Sequence, residues 1–214
     1  MAHMKTHTRA AAALFITAMA ILPGCAPKGP ILLDVAYQVP KKHAAQAERT
    51  AIAVSPFKDE RGKTDSVAGR RFSSLSDAVN DLVVQGTVSE RVTAAIKSSL
   101  KSRGVAATNN SGWDLTEAGI PADGSKLVIG GAVKTLWVEA LSGFASTKVT
   151  AKVELRIVVA DVEQKKIIRT LNVGSTIERS EVLYSTGFVQ NTISEAVTTA
   201  LDQVFNDEEL RRFF

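Results

Sequence analysis

The sequence has a single cysteine in 214 residues and only three histidines, His3, His7 and His43. Cys25 has no second thiol to bridge with, so no internal disulfide forms. Beyond residue 43 the chain carries neither imidazole nor thiol. That excludes a Ser-His-Asp triad, a Cys-His dyad and a His-ligated zinc site from the remainder of one chain. The apolar run from Ala10 to Leu22 has 13 residues, short of the roughly 20 a membrane-spanning helix needs. Charge of one sign is scarce as well: 26 basic against 22 acidic side chains give +4. No basic stripe with interleaved aromatics is present, so nucleic acid is not an expected partner.

What the N-terminus does contain is an export signal. Lys5 and Arg9 precede the apolar run, and Pro23-Gly24 lead from it into Cys25. That order is a signal peptide over 1–24. An exported thiol without a partner would be oxidised, and acylation removes the problem. Leu22-Pro23-Gly24-Cys25 resembles the bacterial lipobox, with Pro23 where Ala, Ser, Thr or Val is commoner. The resemblance implies that Cys25 carries a diacylglycerol and an N-acyl chain and becomes the mature N-terminus, with no other cofactor. One acyl chain binds a membrane marginally, at about 0.8 kcal/mol per buried CH₂, whereas several hold it stably. Ala26 follows the cysteine, not Asp, which within that resemblance implies the periplasmic face of the outer membrane. Met1-Ala2-His3 is set aside from fold reasoning. Removing Lys5 and Arg9 leaves 24 basic residues against 22 acidic, or +2, in the 190 residues from Cys25.

Residues 25–48 read as a lipidated N-terminus and tether, with one candidate edge strand at 31–37. The folded domain is expected over 49–206, with a tail at 207–214. Thr50 to Ser55 is a short buried-type strand ended by Pro56. Lys58 to Gly86 reads as one long polar loop. Thr87-Val88-Ser89-Glu90 is a capping box, opening a helix whose apolar face is Val88, Val92, Ile96 and Leu100 and which stops at Arg103-Gly104. Val105 to Thr108 is a candidate short strand. Lys126 to Ala140 is a long strand in which Gly130-Gly131 mark a bulge or a close backbone approach. Lys148 to Val159 alternates, with Val149, Ala151, Val153, Leu155, Ile157 and Val159 on one face. After a turn at 161–165, Ile167, Arg169, Leu171, Val173, Ser175 and Ile177 are expected to share a face. Val189, Ile193, Val197, Ala200, Leu201 and Val204 mark a final helix of about five turns. The expected fold is α+β: a two-layer sandwich with a mixed, mostly antiparallel sheet covered on one face by two helices.

Together the lipobox, Ile52 to Phe57 followed by Asp59 and Arg61, the helix ending Leu100-Lys101-Ser102-Arg103-Gly104, and the meander with its terminal helix resemble the YajG-like family of outer-membrane lipoproteins. The resemblance covers roughly residues 31 to 206, and the serine-rich stretch Arg70-Arg71-Phe72-Ser73-Ser74 departs from it. Related architectures occur in curli-secretion lipoproteins, lipoprotein activators of peptidoglycan synthases, and the N-terminal domain of TolB. The resemblance implies no catalytic activity, but a lipid-anchored periplasmic binding or scaffold role with an envelope protein or peptidoglycan as partner. The alternative is a subunit of an envelope assembly of the export-pore or flagellar-ring type, in which the chain oligomerises.

Two stretches are candidate contact surfaces. Lys58 to Arg71 offers Arg61, Arg70 and Arg71 to an anionic partner; the blander reading is a solvated loop in which Asp59 and Arg61 lock a turn. Leu141 and Phe144 sit at a hairpin tip, where they either touch a partner or, as expected here, fold back over the sheet edge. Trp113 and Trp137 read as packing residues, and Leu210 to Phe214 as a docked or frayed terminal turn. For carboxylate catalysis the available pairs are Asp59 with Glu60 and Asp77 with Asp81; solvated charge is the expectation for both. No grouping suggests a metal.

Overall fold

The structure is a computed structural model that describes residues 29–39, 49–74 and 79–213. Its strands run in chain order as β1 (Ile31–Leu33), β2 (Arg49–Val54), β3 (Lys58–Asp59), β4 (Val67–Ser73), β5 (Val79–Val84), β6 (Val105–Asn109), β7 (Leu127–Ser142), β8 (Thr147–Asp161) and β9 (Lys166–Glu181). Helix α1 (Val88–Ser102) lies between β5 and β6, and α2 (Thr186–Phe205) follows β9. All nine strands join one sheet, in which β7 is the hub: it pairs with β2, β3, β4 and β8. The long pairings β7–β8 and β8–β9 are antiparallel, and the short ones to β2, β3 and β4 are parallel. Both helices pack on one face, so the α+β sandwich expected from the sequence is the fold.

Local chemistry explains the helix ends. Thr87 accepts from the Glu90 amide while the Glu90 carboxylate accepts from the Thr87 amide, a complete capping box. Gly104, at φ +75°, takes the left-handed conformation after the C-terminal turn. The β8 alternation is realised without exception: Val149, Ala151, Val153, Leu155, Ile157 and Val159 are all fully buried beneath the helices. Gly131 makes the close approach expected of it, since a Cβ there would lie 2.1 Å from the Arg156 carbonyl oxygen. The irregularity in the β7–β8 register falls further on, between Val133 and Thr135.

Two expectations need correction, and one feature was not foreseen. Lys58 to Gly86 is not one loop but contains β3, β4 and β5. Its charged side chains disguise strands whose partner, β7, is distant in sequence. In β9 a register shift near Ile167 breaks the face expected there. Ile167 packs on a second, smaller cluster while Leu171 and Ile177 stay with the main core. That second cluster is the unforeseen feature: Trp113, Leu115 and Ile120 from the segment between β6 and β7 cover part of the face opposite the helices.

The first described segment belongs to the core. β1 is an edge strand, parallel to β5. The chain then runs extended along α2, burying Val35 and Tyr37. The amides of Asp34, Ala36 and Gln38 donate to Gln190 Oε1, Ser194 Oγ and Thr198 Oγ1, at 3.0, 3.3 and 2.8 Å. Two extended residues advance about 6.6 Å and four helical residues about 6.0 Å, so alternate amides meet successive turns of one helix face. This strap ends at a polar knot in which Arg103, after α1, bonds both Tyr37 Oη (2.9 Å) and Asp202 on α2 (2.8 Å).

Candidate functional site

Arg61 occupies the centre of the basic stretch, and it is enclosed. Its side chain is 3% exposed and that of Asp59 14%. Nε and Nη2 bond the two Asp59 oxygens at 2.9 and 2.7 Å. Nη1 donates to the Val67 and Leu136 carbonyls, and Nη2 also to those of Thr64 and Asp65. All five guanidinium N–H groups are therefore committed. Burial pushes the Asp59 carboxyl up, but the Arg61 hydrogen bonds outweigh it and hold the carboxyl below its ordinary value. Of the two readings of this stretch, the geometry is that of Asp59 and Arg61 locking a turn, and a side chain 3% exposed offers little of the Arg61 guanidinium to a partner.

Arg70 and Arg71 are consecutive on strand β4, so their side chains leave opposite faces of the sheet. Arg70 forms a half-exposed pair with Asp81 at 3.2 Å. Arg71 stacks 3.7 Å from the Tyr184 ring on the helix side, with Nε donating to Ser142 Oγ at 3.4 Å. The three arginines do not form one basic surface.

The hairpin between β7 and β8 gives a clearer feature. Phe144 at its tip is 93% exposed, so it does not fold back over the sheet as expected. Behind it Val79, Phe72 and Leu141 lie side by side on β5, β4 and β7, as the register dictates. They line an open groove of about 480 Å³ with Gly143, Ser146 and Lys148. Exposed Val182 and Leu183 follow the end of β9 at the same level, because Glu181 pairs with Thr147.

Trp113 is buried as expected, and Trp137 is half-buried: its ring lies on the helix-free face, with Lys63 Nζ 5.2 Å from its centre. Lys134, Thr135 and Lys152 complete a hollow of about 270 Å³ around it. Acidic neighbours balance these cations. Glu60 pairs with Lys134, and Glu154 with Lys152 at 2.9 Å. Their carboxyls are held below the ordinary glutamate value, Glu60 chiefly by its Lys134 bond and Glu154 by its Lys152 bond. Asp59 and Glu60 thus turn to separate cations and stay ionised, which suits neither for donating a proton. Asp81 is occupied by Arg70, and Asp77 lies outside the described residues, as do Cys25 and His43. Among the described residues no group of three His, Cys, Asp or Glu side chains is arranged to hold a metal ion, and no helix is long and apolar enough to cross a membrane.

No family model matches the chain, and no curated protein matches it. Solved structures of bacterial proteins do. XCC0632 of Xanthomonas campestris, assigned to family DUF330, is similar at 10% identity and a TM-score of 0.49, over 80% of this chain and 90% of that one. A homologue of the neuraminyllactose-binding hemagglutinin of Helicobacter pylori is similar at 10% identity and 0.46, over 85% and 96%. The lipoprotein GNA1162 of Neisseria meningitidis is similar at 11% identity and 0.34, over 74% and 100%.

Proposed function

We propose that this chain is a bacterial lipoprotein of the YajG-like kind, acylated at Cys25 and held on the periplasmic face of the outer membrane. It acts by binding or scaffolding an envelope component and not by catalysis. The observation that carries the proposal is the position of the only cysteine, directly after Leu22-Pro23-Gly24 at the end of an export signal. Two further features support it. From residue 44 the chain has no imidazole or thiol for covalent or general-base chemistry. The helix-free face presents a half-buried tryptophan among charged side chains, a composition suited to a polar contact with an aromatic centre.

The mass of the chain purified from bacterial membranes tests the anchor. The expected N-terminus is Cys25 carrying diacylglyceryl and N-acyl groups; an unmodified N-terminus at any other residue contradicts it. Crosslinking in intact cells, read by mass spectrometry, identifies the partner. Adducts centred on Lys63, Lys134 and Lys152 support the helix-free face as the contact, and adducts confined to other lysines count against it.

A further inference from the structure

Seven large apolar side chains are exposed among the described residues. Five of them, Val79, Leu141, Phe144, Val182 and Leu183, lie at the end of the sheet that holds the β7–β8 hairpin. Half-buried Phe72 completes the row between Val79 and Leu141. A soluble domain has little reason to gather its exposed apolar groups on one rim unless that rim is covered.

The course of the chain says what covers it. β1 runs parallel to β5, with Ile31 opposite Leu82, so the residues before Ile31 climb toward the start of β5. Gly29 is level with Asn80, whose side-chain amide donates to its carbonyl at 3.1 Å. Asn80 directly follows Val79 at the rim. Four residue steps separate Gly29 from Cys25, a reach of at most about 14 Å. Adjacent strands lie about 4.8 Å apart, so in the order β1-β5-β4-β7 Val79 and Phe72 lie within that reach of Gly29 and Leu141 lies at its limit. The cations beside the row are already neutralised, Lys148 by Glu178 at 2.9 Å and Arg70 by Asp81 at 3.2 Å. The contact on offer is therefore apolar.

We infer that this rim is a membrane-seating surface: Phe144 and its apolar neighbours enter the headgroup region of the lipid leaflet that holds the acyl chains of Cys25. The inference rests on the proposed acylation, which brings the leaflet within one short tether of the rim. The acyl chains supply the affinity and the rim supplies the orientation. Aromatic and aliphatic side chains lower their free energy at such an interface by leaving water. Seated this way, the sheet stands with its hairpin end down, and the turn at Glu163 and Gln164 between β8 and β9 faces the periplasm.

The test uses the full acylated chain in vesicles of phosphatidylethanolamine and phosphatidylglycerol. Acylation consumes the thiol of Cys25, so Phe144→Cys offers one thiol for an environment-sensitive NBD probe. Leu183→Cys is a second rim position, and Glu163→Cys the control at the opposite end; all three replaced side chains are exposed. The protein should float with the vesicles. The rim probes should shift to the blue and lose most of their emission to nitroxide-labelled lipid, while the probe at position 163 does neither. Flotation with rim probes as wet as the control overturns the inference and leaves the anchor reading intact. Rim probes shielded from water but untouched by nitroxide lipid overturn it in favour of a second copy or another protein on the rim. Failure to float overturns both readings together.

Discussion

Tyr37 Oη donates to Asp202 Oδ1 at 2.8 Å, across 165 positions of sequence. This bond fastens the strap, and hence the segment nearest the proposed anchor, to the last turns of α2. Arg103 Nη1 meets the same phenol, and its guanidinium stacks 3.9 Å from the Phe205 ring. Burial, with the Asp202 bond, raises the Tyr37 phenol above its ordinary value of 10.0 despite the opposing effect of Arg103. A group whose folded pKa is raised stabilises the fold below its unfolded pKa and loses that contribution as pH rises through the folded value. Wild type should therefore lose stability above about pH 10, and Tyr37→Phe should lose less over the same range. Denaturant midpoints from pH 8 to pH 11 measure this.

The strap itself is open to hydrogen exchange. Ser194→Ala with Thr198→Val removes the acceptors of the Ala36 and Gln38 amides. At about 1 kcal/mol for each bond, exchange at each of these two amides should quicken by about fivefold. Exchange in the centre of β8 should change far less. Equal acceleration at both places would show that the strap does not open by itself.

Arg61 and Arg70 lie nine positions apart and should behave in opposite ways. Arg61→Ala strips the Asp59 carboxylate of its cation and removes a donor from the Val67 and Leu136 carbonyls, while Thr64 and Asp65 still accept from the Val67 and Val88 amides; the loss is about 3–5 kcal/mol by comparison with other broken buried pairs. Arg61→Lys should recover little of it, because an ammonium cannot reproduce the planar fork. Arg70→Ala breaks a half-exposed pair and should cost under about 1 kcal/mol. The depressed Asp59 carboxyl adds a pH signature with the opposite sign to that of Tyr37. Its contribution is present above the unfolded aspartate pKa near 3.8 and disappears as pH falls through the lower folded value. Wild type should lose stability below about pH 4, with a shallower slope in Asp59→Asn. Urea titrations at several pH values read both effects.

Two glycines make a matched pair. Gly131→Ala sets a methyl 2.1 Å from the Arg156 carbonyl oxygen and 2.6 Å from the Phe57 ring. The β7–β8 ladder must spread to admit it, at about 1–3 kcal/mol or more. Gly187 has no atom within 4 Å of a built Cβ and stands in the first turn of α2. Gly187→Ala should stabilise by about 0.5–1 kcal/mol. Thermal melts of the two variants should move in opposite directions.

The parts of this fold legible in the sequence are those specified locally. The capping box at Thr87 and Glu90, the alternation of β8 from Lys148 to Ile157 and the apolar stripe of α2 each carry their signal within one element. Strands β4 and β5 were hidden because Val67 to Ser73 holds Gly69, Arg70 and Arg71, and its strand character depends on pairing with β7 some 69 positions away. Gly69 is the trace that was available: a Cβ there would lie 2.0 Å from the Val138 carbonyl oxygen, and glycine inside a strand often marks such an approach. At the candidate sites, Asp59 and Arg61 were visible as a pair two residues apart, but not their enclosure. The rim around Phe144 was visible only as two residues at a tip. Its extent depends on β5, β4 and β9 all ending or beginning beside the hairpin, which sheet order decides and composition does not.

The central claim is that Cys25 ties this domain to a membrane by acyl chains, and Cys25→Ser tests it most directly. Cells expressing either version are grown with labelled palmitate and fractionated, with the chain detected in each fraction. The account predicts label in the wild-type chain and its recovery with the outer membrane. The serine variant should carry no label and should be released to the periplasm or remain as the uncleaved precursor. Labelling of the serine variant equal to wild type would contradict the account.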